Sequence, residues 1–272
     1  MSDHRAVDYI TRKWGGQNLT AQTMPAPLSR LDALELEEIL KEDAVDYFNS
    51  GVVSLCDALG RAEQKAWSWC TVKLYYAVFY FAKSFLAMER YMVFFYQDKP
   101  AWLKAEPGAQ GKRFRGQRPL SHSDQTAKKN VSGSHSTALY LFESSFGSSV
   151  LMSQDVDSFY PTAWMMEQRE YANYRLRGFP DPYPPRIFGV VDKIGIRKAI
   201  ATYLSDRYFA FDKDHAVIAY PLLFMMEVRK KMATNNNYEE VFDEEKVSLL
   251  RRLAKDSNGP LELIINSVLP NN

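Results

Sequence analysis

The run from Trp67 to Met92, WSWCTVKLYYAVFYFAKSFLAMERYM, contains neither Gly nor Pro, the residues that most often break a helix. Its apolar residues do not form one stripe: Trp67, Val72, Tyr76, Phe79 and Leu86 point in every direction around a helical axis. A helix that is apolar all round is either the buried centre of a domain or a membrane span. Lys73 and Lys83 lie well inside the run, and Tyr75, Tyr76 and Tyr80 each carry a hydroxyl. At the middle of a bilayer each Lys costs about 2.5–3.5 kcal/mol. The run therefore predicts the central helix of an all-α domain, with no membrane partner.

With 272 residues, the chain can bury a large core around such a helix. Its net charge of +1 excludes a strongly basic nucleic-acid coat, while leaving room for a local basic patch. Cys56 and Cys70 are the only cysteines. Both sit among apolar helical residues, as buried free thiols do, and neither a disulfide framework nor a metal site is expected. The opening MSDHRAVDYITRKWGGQ lacks the apolar core of a signal peptide, so a cytoplasmic protein is expected.

Along the chain, residues 1–30 read as an N-terminal arm, with Gly15, Gly16, Pro25 and Pro27 among polar residues. Residues 31–180 read as a helical bundle. Leu31, Leu34, Leu36, Ile39 and Leu40 begin one or two amphipathic helices that pack on the central one. Residues 97–131 interrupt the bundle with Pro100, Pro107, Gly108, Gly111, Gly116 and Pro119, which predict a long basic loop without strands. Ser134 or Ser136 is the expected N-cap of a helix reaching Phe146. A further helix is expected from Tyr160-Pro161 to about Arg175. The proline-dense stretch that follows is the candidate boundary before a C-terminal helical extension over 186–272.

Chemistry narrows the function next. The phosphate-binding Gly-rich loop, the dinucleotide fingerprint, the His-Glu-x-x-His zinc helix and the serine elbow are all missing from the sequence. His4, His122, His135 and His215 are scattered, so neither a metal nor a cofactor is expected. The basic loop offers Lys112, Arg113, Arg115, Arg118, Lys128 and Lys129 for phosphates, with Trp102 and Phe114 interleaved for base stacking; a solvated surface loop is the structural alternative. Arg169 and Asn173, four apart, share a face of a regular helix, with Tyr174 at its edge. An Arg and an amide together can hold a phosphate. The alternative is a helix end whose Arg pairs with Glu167 or Asp181.

Three segments in order resemble the HEPN superfamily of prokaryotic helical-bundle proteins. They are Tyr75-Tyr76-Ala77-Val78-Phe79, Ser134-His135 leading to Tyr140-Leu141-Phe142-Glu143, and Arg169-Glu170-Tyr171-Ala172-Asn173-Tyr174. The resemblance covers roughly residues 31–175. It implies an all-α bundle, commonly a homodimer, found among toxins and anti-phage defence proteins, whose active members are metal-independent ribonucleases. Those members use an Arg followed shortly by a His. Arg169 matches the Arg, whereas Tyr174 occupies the neighbourhood of the His. Arg115 and His122 have the spacing, but Gly116 and Pro119 separate them. His135 supplies the missing proton carrier if the start of its helix packs near Arg169. The resemblance thus implies an Arg-centred ribonuclease of Arg169, Asn173, Tyr174 and His135. Its alternative is an inactive RNA-binding or scaffold subunit that partners a separate effector or antitoxin protein.

Overall fold

The computed structural model describes residues 4–14, 26–96, 99–114, 116–175, 181–234, 238, 244–253 and 260–268; most of these are helical. In chain order they form α1 (Arg5–Trp14), α2 (Arg30–Glu63), α3 (Trp67–Met88), β1 (Tyr91–Tyr96), β2 (Lys99–Lys104), β3 (Gln117–Pro119), β4 (Lys128–Asn130), α4 (Gly133–Ser145), α5 (Pro161–Glu170), α6 (Gly189–Ile194), α7 (Ile196–Ser205), α8 (Ala216–Ala233), α9 (Glu244–Leu253) and α10 (Pro260–Val268). Among them, no helix is long and apolar enough to cross a membrane.

The apolar run is the central helix α3, with Leu74, Tyr75, Ala77, Val78 and Phe81 fully buried. Its longest neighbour, α2, starts at a capping box: Ser29 Oγ accepts from the Asp32 amide at 3.2 Å while the Asp32 carboxylate accepts from the Ser29 amide at 3.1 Å. The two helices approach closely at Gly51, where the ring of Phe81 fills the space a side chain would need. Ser84 Oγ adds a hydrogen bond to the Ala44 carbonyl at 2.7 Å. From beyond the proline-dense stretch, α8 enters the same core, its Phe224 ring 6.2 Å from Phe81 and 5.0 Å from Phe142.

α3 has no side-chain cap from its own N-cap residue. Asp181 supplies one from far along the chain, accepting from the Ser68 amide at 3.3 Å, while Trp67 Nε1 donates to the Pro182 carbonyl at 3.0 Å. The Ser68 bond satisfies an amide that a helix start leaves open, and the two together hold Asp181 and Pro182 against the start of α3.

The expected strandless loop is corrected. β1 and β2 pair antiparallel, with Met92 opposite Leu103 and Phe94 opposite Ala101, and these four face the core. β3 and β4 form a second antiparallel pair. The β1 sequence YMVFFY alternates inward and outward, a period of two, but it follows the helical apolar run directly. Arg90, at φ 67°, marks the turn between them, so the helix ends at Met88 rather than Met92. Two helix ends also differ from expectation. Ser132 is the N-cap of α4, without a side-chain bond, and Ser136 is buried inside the first turn. α5 stops at Glu170, and Tyr171–Arg175 continue as a single π turn.

Candidate active site around Tyr75

Tyr75 is fully buried at the middle of α3, and its hydroxyl needs a partner there. It finds one in His135, whose Nδ1 lies 2.9 Å from the phenol oxygen. His135 stands in the first turn of α4. Its ring stacks on Phe79, centroids 4.0 Å apart and planes within 8°, and meets Tyr76 edge-on at 5.7 Å. From the last turn of α5, the Arg169 guanidinium lies over the Tyr75 ring at 5.3 Å. Three helices therefore deliver a phenol, an imidazole and a guanidinium to one place.

The electrostatics follow from that packing. Burial, then Arg169, then Lys83 pull the His135 pKa down to about 4, so the imidazole is neutral at pH 7. With Nδ1 protonated and donating to Tyr75, Nε2 carries a lone pair; the opposite tautomer reverses the roles. Burial drives the Tyr75 phenol upward, so it stays protonated. The Arg169 Nε is buried with no hydrogen-bond partner, and Arg169 forms no ion pair among the described residues. A cation held without a counter-charge or a partner for its Nε is poised for an anion.

Lys83 lies one turn beyond Phe79 on α3. Its ammonium sits 3.9 Å from the centroid of the Tyr47 ring and 5.7 Å from that of Phe79. Burial pulls its pKa down to about 8, with Asp43 opposing. Lys73 resolves differently, pairing with Asp57 at 2.9 Å near the surface. Of the two lysines in the apolar run, only Lys83 adds charge beside His135.

Asn173 and Tyr174 stand elsewhere. Both lie on the π turn, which removes the four-residue facing that joined Asn173 to Arg169 in the sequence. Asn173 is exposed, Tyr174 is 74% exposed, and neither bonds to or stacks on Tyr75 or His135.

The basic residues divide in the same way. Arg118, expected to contact phosphates, is only 1% exposed; its Nη1 donates to both carboxylate oxygens of Glu143 at 2.7 Å. Thr162 Oγ1 donates to the same carboxylate. Arg118 is thus a buried structural cation, and the expectation is corrected. Lys129 pairs with Glu167 and Glu170 at 3.1 Å each, bracing the end of α5 beside Arg169. Arg113 donates to the Tyr96 carbonyl at 2.6 Å, and Lys112 lies over the Trp102 ring. Lys128 is exposed, and Arg115 lies outside the described residues. Trp102 and Phe114 stack on each other at 5.6 Å rather than facing outward for bases.

Comparison of the chain with protein-family models, curated proteins and solved structures finds no match. What the site can do is therefore read from its chemistry. Among the described residues, no cluster of three His, Cys, Asp or Glu side chains is placed to hold a metal ion. Arg169, His135 and Tyr75 suit a phosphodiester instead: a cation for its oxygens, a neutral base near it, and a phenol to orient that base. Tyr75, present in the sequence as a hydroxyl of the apolar run but not among the expected site residues, joins the site in the structure. Its signal was a hydroxyl at the centre of an otherwise apolar helix.

Beside this site, on the adjoining flank of α5, a cleft of about 610 Å³ opens between the start of α3, the α5–π turn junction and the segment from Tyr183 to Ile187. Thr71 lines it, one turn before Tyr75 on the same face of α3.

Proposed function

We propose that this chain is a HEPN-like helical protein of a prokaryotic anti-phage defence or toxin–antitoxin system, and that it cleaves RNA without a metal ion. One observation carries the proposal. The three segments on which the resemblance rests contribute Tyr75, His135 and Arg169, and these side chains meet at a single point.

In the proposed reaction, His135 Nε2 takes the proton of a ribose 2′-hydroxyl, and the 2′-oxygen attacks the adjacent phosphorus. The bond from phosphorus to the 5′-oxygen breaks, that oxygen takes a proton from water, and the His135 imidazolium gives its proton to the hydroxide left behind, restoring the neutral base. The products are a 2′,3′-cyclic phosphate and a 5′-hydroxyl. Arg169 balances the charge that develops on the phosphoryl oxygens. Tyr75 is a positioning residue that holds the imidazole through Nδ1. A bound phosphate cancels part of the field of Arg169 and Lys83 that depresses the His135 pKa. That moves the base toward neutrality, where general-base catalysis is most effective.

The second reading is a non-cleaving RNA-binding or scaffold subunit beside a separate effector. The low proton affinity of His135 favours it, because a base with pKa near 4 is weak. A homodimer belongs to either reading. End-labelled RNA incubated with the protein in EDTA separates them. Cleavage by the wild type that is lost in Arg169→Ala supports the nuclease, whereas RNA binding without cleavage supports the scaffold.

A further inference from the structure

We infer that the cleft on the flank of α5 next to Arg169 is a binding pocket for a single unpaired nucleobase. The inference rests on the RNA reading above and adds the part of the molecule that reading leaves unused.

Part of the cleft wall is aromatic or ring-bearing, built from Phe159, Trp164, Tyr171, Tyr183, Pro184 and Pro185. Trp164 closes its floor at 3% exposure. Tyr171, presented by the π turn, and Tyr183 line it while remaining 48% and 78% exposed. Exposed aromatic faces beside a concave apolar floor suit a planar ring, and base–aromatic stacking is tolerant of sequence because every base has a π face. A cleft of about 610 Å³ lies in the range that encloses a ligand of nucleotide size.

Polar groups in the cleft match the edge of a base rather than a plain hydrocarbon ring. The Gln168 side-chain amide lines it and has no partner among the described residues, so it offers a donor and an acceptor side by side. Ser68 donates its hydroxyl to Asp181 and keeps lone pairs for a ligand. Two guanidiniums stand at the rim. Arg186 is 82% exposed and, among the described residues, pairs with Asp214 at 3.8 Å. Arg175 is 57% exposed and pairs with Glu167 at 3.3 Å. Asp157, also on the rim, is held by Lys213 at 3.8 Å, which limits its opposition to an incoming phosphate.

Position ties the pocket to the proposed chemistry. Gln168 precedes Arg169 on α5, and Thr71 lies one turn before Tyr75 on α3. The cleft and the Arg169 site therefore lie on adjoining flanks of the same helix end. A paired base cannot enter, since its edge is already occupied and its faces are stacked.

The test is the binding of adenosine, guanosine, cytidine and uridine 5′-monophosphates to the full chain, followed by calorimetry and tryptophan quenching. At least one is expected to bind saturably. Tyr171→Ala and Tyr183→Ala, both at exposed positions, should weaken binding tenfold or more. Gln168→Ala should change the order of preference among bases. Arg186→Ala should remove the advantage of the monophosphate over its nucleoside. The inference is overturned if no monophosphate binds at millimolar concentration, or if both tyrosine variants bind unchanged. Nucleotide binding with no RNA cleavage sinks the nuclease reading alone. Arg169-dependent cleavage without nucleotide binding sinks the pocket alone.

Discussion

His135 carries its environment in its titration. Its pKa is about 4 in the folded protein against an ordinary 6.5, so between these values the unfolded chain binds more protons than the folded one. The stabilising contribution is therefore complete above pH 6.5 and is lost as pH falls toward 4. Urea unfolding followed across this window should show stability rising with pH by at most about 1.4 kcal/mol per unit from this residue, less what water screens. His135→Gln, which cannot titrate, should flatten that part of the profile. An unchanged slope would mean that the imidazole is not held neutral between Phe79, Tyr75 and Arg169. Lys83 has the same character at the alkaline end, since its charged form is the one burial disfavours.

At the scale of elements, α2 and α3 approach closely at Gly51. A Cβ added there would lie 2.6 Å from Phe81 Cδ1, with no free space for the ring to occupy, because Phe81 also packs on Phe48 and Phe224. Gly51→Ala should cost about 1–3 kcal/mol by overpacking, measured as a fall in the urea midpoint at constant slope. The β3–β4 pair is anchored differently, by Arg118 reaching Glu143 on α4 and sharing it with Thr162 of α5. Arg118→Ala leaves a buried carboxylate without its cation and should destabilise by about 3–5 kcal/mol. The folded remainder should bind RNA as the wild type does, because Arg118 has no exposed surface to offer. A selective loss of RNA binding with normal stability would contradict this placement.

These elements were unequally legible in the sequence. The apolar run between Trp67 and Met88 announced α3, because neither a charge stripe nor a breaker interrupts it. The Ser29 capping box went unread. β1 and β2 were hidden because their period-two pattern adjoins the helical one, and Pro100 and Pro107 suggested an irregular loop. Arg118 looked like its basic neighbours, since only the fold reveals Glu143 beneath it. The cleft was out of reach, because its lining comes from the start of α3, the end of α5 and a proline-rich segment more than a hundred residues from that start.

For the whole molecule, the open question in the sequence was whether the start of α4 packs near the end of α5. Arg169 and His135 are each unremarkable in their own helices. Their meaning comes from α3, which presents Tyr75 to both and carries Thr71 into the cleft one turn earlier. Lys129, through Glu167 and Glu170, holds the end of α5 where this convergence needs it. The central claim is that the convergence cleaves RNA. Its most direct test is the chemical identity of the ends left on a single-stranded RNA incubated with the protein in EDTA. The account predicts 2′,3′-cyclic phosphate and 5′-hydroxyl ends from the wild type, and intact RNA with Arg169→Ala and with His135→Ala. Intact RNA with the wild type, or the same ends from both variants, would contradict it.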